Sequence, residues 1–141
     1  NRAVGVVPVL DDGRIVMVRQ TRYAIGNISS LEIPEGGAPE GEDWLQTAAR
    51  ELQEETGAVR FEIKPICVYS VTGKTRVNDT GEETFGLLCF AEITEFAKEL
   101  HSEMEKVVLM DELPENWTYP LIQPKLIEKY LQMKNFVDDT L

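Results

Sequence analysis

One segment, residues 35 to 58, limits the folds open to this chain more than any other. Glu35-Gly36-Gly37-Ala38-Pro39-Glu40-Gly41-Glu42 holds three glycines and a proline in eight residues and cannot be helical. Asp43 then offers an N-cap with Gln46 three residues on, and Trp44, Leu45, Ala48, Ala49 and Leu52 recur at helical spacing as an apolar face. Gly57 supplies the C-terminal stop. A glycine-rich loop feeding one capped, glycine-stopped helix needs a sheet to lie on.

The flanking sequence supplies that sheet. Ala3–Leu10 and Arg14–Gln20 are rich in Val and Ile and enclose Asp11-Asp12-Gly13, a hairpin turn signal. Ser30–Ile33 reads as a short strand ending at Pro34, Phe61–Val71 and Thr84–Ile93 as strands joined by the polar loop Thr72–Glu83, and Lys106–Met110 as a further strand. Pro120–Met133 reads as an amphipathic helix with Pro124 in its first turn, followed by a loosely held tail. The expected fold is α+β: a mixed β-sheet between helices on both faces, an α/β/α sandwich built as one domain over residues 1–141.

Charge narrows the function. With 14 Lys+Arg against 25 Asp+Glu the net charge is −11, which disfavours nucleic acid as a partner because phosphate neutralisation needs clustered basic residues. Ala3–Leu10, the longest apolar run near the start, is far too short to span a membrane and has no basic leader. Cys67 and Cys89 sit in apolar runs away from any metal-ligand spacing, so both are expected to be buried free thiols, which suits a reducing cytoplasm. The chain begins at Asn1 rather than Met, so sequence preceding it is expected in the full-length protein.

On the helix, Glu51 lies three residues from Glu54 and four from Glu55, so the carboxylates project from one side and repel by roughly 0.2–0.5 kcal/mol per pair. They also oppose the helix dipole, which prefers cations at its C-terminal end by about 0.3–1 kcal/mol. Arg50 meets Glu54 at the four-residue spacing, but one guanidinium does not neutralise three carboxylates. A divalent ion does, and hard oxygen donors favour Mg²⁺ or Mn²⁺ over zinc.

Gly36, five residues, Glu42, seven residues, Arg50-Glu51-Leu52, one residue, Glu54-Glu55, one residue, then Gly57 and Ala58 resembles the box of the Nudix hydrolases at every defined position. Ala58 is the one weak match, standing where a bulkier aliphatic residue is usual. The resemblance implies that Glu51, Glu54 and Glu55 bind the catalytic Mg²⁺, or Mn²⁺, and that the backbone carbonyl of Glu35 adds a ligand. It implies supporting roles for Gly36, Glu42, Arg50 and Gly57, the arginine and the earlier glutamate orienting the metal-binding carboxylates. The reaction it implies is attack of water on one phosphorus of a diphosphate.

Val18-Arg19-Gln20-Thr21-Arg22-Tyr23 and Leu31-Glu32-Ile33-Pro34-Glu35-Gly36-Gly37 resemble the segments preceding the box in ADP-ribose and ADP-sugar pyrophosphatases. That narrower resemblance makes Arg19, Arg22 and Glu32 candidate substrate contacts, arginine suiting phosphate through its planar fork of donors. It also makes a homodimer one assembly open to the chain. Thr72-Gly73-Lys74 stands where ADP-ribose enzymes usually carry a proline and dinucleoside-polyphosphate enzymes a tyrosine. Hydrolysis of nucleoside triphosphates or dinucleoside polyphosphates is therefore the rival reading, and a non-catalytic nucleotide sensor of the same fold is a third. In the family a loop glutamate often serves as the base, which points to Glu103 or Glu105. His101, the only histidine, lies beside them as a group that could titrate near neutrality, while Trp117 could stack on a base.

Overall fold

The computed structural model describes residues 2–22, 28–71, 84–97, 106–110 and 122–140. Its elements are β1 (Arg2–Val9), β2 (Ile15–Arg22), β3 (Ile28–Glu32), β4 (Glu35–Gly37), α1 (Trp44–Thr56), β5 (Ala58–Val71), β6 (Thr84–Phe96), β7 (Lys106–Met110) and α2 (Gln123–Thr140). The strands form one sheet in the order β3-β2-β1-β6-β5, with β4 added to β1 and β7 to β2. Among these pairs only β1 with β6 is parallel, so the sheet is mixed as the sequence implies.

The expected hairpin is present. Gly13 takes φ 90°, which is left-handed and favours glycine, while Asp12 accepts from the Arg14 backbone at 3.0 Å and from its guanidinium at 2.8 Å.

Alternation along β1 divides the core. Val4 and Val6 face α1 and pack with Ala48, Leu52, Cys89 and Ala91, whereas Val7 and Val9 face α2 and pack with Met17, Leu88, Phe90, Leu126 and Ile127. One helix therefore covers each face, the sandwich the periodicities predict. Trp44 packs against the α1-side cluster and carries the Arg2 guanidinium 5.6 Å from its ring centroid, but Leu45, expected on the apolar face, is 40% exposed.

Three expectations are corrected. Glu35–Gly37 is a short strand rather than loop, because the N-terminal half of β1 offers a free edge and Gly5 pairs with Glu35. α2 continues through Thr140 instead of ending at Met133, with Pro124 in its first turn where a missing N–H costs nothing. Cys89 is buried, with its thiol pushed up to about 12 by desolvation, but Cys67 is only half-buried. Among the described residues, no helix is long and apolar enough to cross a membrane.

Candidate active site

The box loop and α1 fold for local reasons. Asp43 caps the helix by accepting from the Leu45 backbone at 3.2 Å, and Gly57 ends it at φ 76° with its N–H donating to Gln53 at 3.0 Å. Gly41, at φ 84°, supplies the left-handed turn ahead of the cap. Behind the loop, Ala38 donates to the Arg2 carbonyl and Val6 to the Pro34 carbonyl, each at 2.9 Å, so the loop is tied to β1 at both ends of β4.

Glu51, Glu54 and Glu55 all project from α1, to different depths. The Glu51 side chain is 14% exposed and that of Glu54 58%, while Glu55 is half-buried. The Glu51 carboxyl rests against Gly36, whose absent side chain makes the room: a Cβ there would fall on the carboxyl carbon and Oε1. Burial pushes the Glu51 carboxyl above its ordinary value; Arg50 pulls the other way, and Glu54 and Glu42 add to the rise.

Arg50 is the hub of the cluster. Its guanidinium reaches Glu42 at 3.0 Å, Glu51 at 3.1 Å and Glu54 at 3.8 Å, bracing the loop acid and two helix acids with one planar group. Thr47 donates its hydroxyl to Glu42 at 2.5 Å, and this bond and then Arg50 hold the Glu42 carboxyl below its usual range. Glu42 and Arg50 are thus tied to each other, and Arg50 to the helix acids Glu51 and Glu54.

Among the described residues, no three carboxylate, imidazole or thiolate groups already converge as a metal-binding set. The donor chemistry nonetheless fits a hard divalent cation. Glu51, Glu54 and Glu55 offer oxygens from one helix face, and the Gly36 seat that a Cβ would fill holds the innermost carboxylate in place.

Glu35 turns its side chain to the opposite face of the sheet, so a role at the box falls to its backbone. The carboxyl accepts from Gln123 on α2 at 3.0 Å and is pushed above its ordinary value by burial, opposed by that bond. Tyr69 lies across Gly86, its partner on β6, and its hydroxyl comes 3.5 Å from where a Cβ on Gly5 would stand. Burial, and after it the Glu35 charge, pushes this hydroxyl above its ordinary value. Thr47, Tyr69 and Gln123 lie outside the sequence reading, because no spacing marks a hydroxyl that bonds a loop acid five residues back, a ring laid over a neighbouring strand or an amide that bonds a backbone 90 residues away.

Of the substrate candidates, Arg19 stands opposite Leu31 and Lys106 in the sheet, and Arg22 opposite Ile28. Glu32 is 3% exposed, and its charge contributes to raising Glu35. Glu103 and Glu105, with His101, Trp117 and the loop Thr72–Glu83, lie outside the described residues. A cavity of about 530 Å³ opens between β5, β6 and α2, lined by Tyr69, Val71, Leu88, Leu126, Lys125 and Lys129 among others, and none of the box glutamates borders it.

The chain belongs to the NUDIX family: the NUDIX domain model matches residues 1–130. One segment is 40% identical over 67 residues, 48% of this chain and 36% of its relative, to an ADP-ribose pyrophosphatase of Bacillus subtilis (strain 168). Another match is 43% identical over 60 residues, 43% of this chain and 34% of its relative, to an RNA pyrophosphohydrolase of Caulobacter vibrioides. These matches span about a third of the length of the curated relatives. The solved structure of a Bacillus subtilis pyrophosphohydrolase superposes with a TM-score of 0.70 at 23% identity, covering 92% of this chain and 80% of that one, and shows the shared fold.

Proposed function

We propose that this chain hydrolyses the diphosphate bond of a nucleoside-diphosphate-linked compound, ADP-ribose or an ADP-sugar, releasing AMP and a sugar phosphate. The observation that carries the reading is the seating of Glu51 on Gly36 beside Glu54 and Glu55, with Arg50 braced on Glu42. In the proposed reaction water attacks one phosphorus, the bridging P–O bond breaks, and the displaced phosphate leaves as a monophosphate. Glu51, Glu54 and Glu55, with the Glu35 carbonyl, would hold Mg²⁺ or Mn²⁺, which would neutralise phosphate oxygens and lower the pKa of water. Glu103 or Glu105 takes the proton from the attacking water. Arg19, Arg22 and Glu32 orient the phosphates and ribose, Gly57 fixes the end of α1, and a cytoplasmic location suits the two free thiols.

The segment 40% identical to an ADP-ribose pyrophosphatase supports that choice of substrate. The match to an RNA pyrophosphohydrolase favours a second reading, cleavage at a nucleoside triphosphate, but a net charge of −11 argues against a long polyanion as the natural substrate. Purified protein with Mg²⁺ and ADP-ribose, NADH, dinucleoside polyphosphates and dNTPs in parallel separates the readings. AMP and ribose 5-phosphate from ADP-ribose are the expected products, and their absence alongside rapid triphosphate cleavage rejects the first reading in favour of the second.

A further inference from the structure

Between β3 and β4 the chain runs through Ile33 and Pro34 without a strand partner for Ile33, although Ile33 is fully buried. Buried backbone groups must be paired, and here one side chain pairs them. Gln123 accepts from the Ile33 N–H at 2.8 Å and donates to the Ile33 carbonyl at 3.2 Å, as the backbone of a neighbouring strand would. It also donates to Glu35 Oε2 at 3.0 Å. Gln123 is itself fully buried, so its amide is held where these bonds satisfy it. Pro34 has no N–H to satisfy, and its carbonyl is taken by Val6.

We infer that Gln123 is a positioning residue for hydrolysis: from the first turn of α2 it fixes the backbone that leads into the Glu35 carbonyl and the Gly36 seat of Glu51. The inference rests on the proposed diphosphatase reading. Glu35 and Gly36 follow Ile33 by two and three residues, so a shift of the Ile33–Pro34 backbone passes directly to the surface on which the Glu51 carboxyl rests. A role in filling space alone would be met by leucine or methionine, whereas the amide accepts from Ile33 while donating at once to Ile33 and to Glu35. The bonds also cross 90 residues of sequence, fastening the helix on one face of the sheet to the box on the other.

Three variants test it: Gln123→Leu, Gln123→Glu, and Gln123→Glu combined with Glu35→Gln. With its carboxyl ionised, Gln123→Glu keeps the acceptor for Ile33 but loses both donors and faces Glu35, and the second change returns a donor to the pair. Each is assayed well below its own Tm for kcat and KM on the diphosphate that the unaltered protein cleaves best, and separately for Mn²⁺ affinity by electron paramagnetic resonance. Positioning predicts folded single variants in which kcat falls and Mn²⁺ binding weakens by about 10–100-fold with KM little changed, as is typical for groups that orient metal ligands. The double variant recovers part of both losses.

Folded single variants with unaltered kcat and Mn²⁺ affinity overturn the inference, as does a loss that merely tracks the unfolded fraction. If the unaltered protein binds Mn²⁺ but cleaves no diphosphate, the functional reading fails, and the Mn²⁺ affinities alone decide whether Gln123 positions the site.

Discussion

Replacing Gly36 with alanine probes the seat of Glu51 at a single atom. The new Cβ would fall on the Glu51 carboxyl carbon and Oε1, and even Oε2 would stand at 2.8 Å, about 0.6 Å inside an ordinary 3.4 Å contact. The carboxyl has little freedom to withdraw, being 14% exposed and held by Arg50 at 3.1 Å. Overpacking of this kind costs about 1–3 kcal/mol. Gly36 is not among the glycines with positive φ, so alanine would otherwise gain roughly 0.4–1 kcal/mol by restricting the unfolded chain. The net expectation is a loss of about 1–2 kcal/mol, or a Tm lower by about 3–7 °C. Because the carboxylate moves by on the order of 1 Å, turnover should fall about 10²-fold, more than the stability loss explains. Adding Glu51→Asp shortens the side chain by one methylene and should recover Tm without recovering turnover, a non-additivity that calorimetry reads directly. Gly36→Ala with unchanged or raised Tm and full turnover would refute the close approach.

Glu54→Gln and Glu55→Gln should each lower turnover on the order of 10²–10³-fold while leaving the circular dichroism spectrum unchanged, since both replace a charge without changing shape. Turnover equal to that of the unaltered protein removes the residue from the metal site. Glu35→Gln should raise Tm near neutral pH. Burial lifts the Glu35 carboxyl above its ordinary 4.5, so the folded chain holds that proton more tightly than the unfolded one. The stability it contributes is complete below the ordinary value and lost as pH rises through the raised one, so the variant's advantage should shrink on acidification. An advantage that grows on acidification contradicts the sign. Of the two thiols, half-buried Cys67 should be alkylated in the folded protein and Cys89, buried and pushed up to about 12, only after unfolding, which mass spectrometry counts.

What the sequence disclosed was what repeats or caps locally. The α1 boundaries follow from Asp43 and Gly57, the hairpin from Asp12 and Gly13, and the two-faced core from alternation in β1, because each is set by neighbours in the chain. The box glutamates and their brace were visible through fixed spacing on one helix. Three features were hidden, each depending on contacts distant in sequence. β4 exists because β1 leaves an edge open to Glu35–Gly37, Tyr69 crosses the sheet because Gly86 lacks a side chain beneath its ring, and Gln123 bonds a backbone 90 residues away.

Calorimetric titration of Mg²⁺ into the protein holding a non-hydrolysable methylene analogue of ADP-ribose goes furthest toward testing whether the α1 carboxylates form a metal-dependent phosphate site. Saturable Mg²⁺ uptake is expected, and its disappearance in the Glu51→Gln, Glu55→Gln double variant while the fold persists. Absence of uptake by the unaltered protein, or equal uptake by the double variant, would contradict the account.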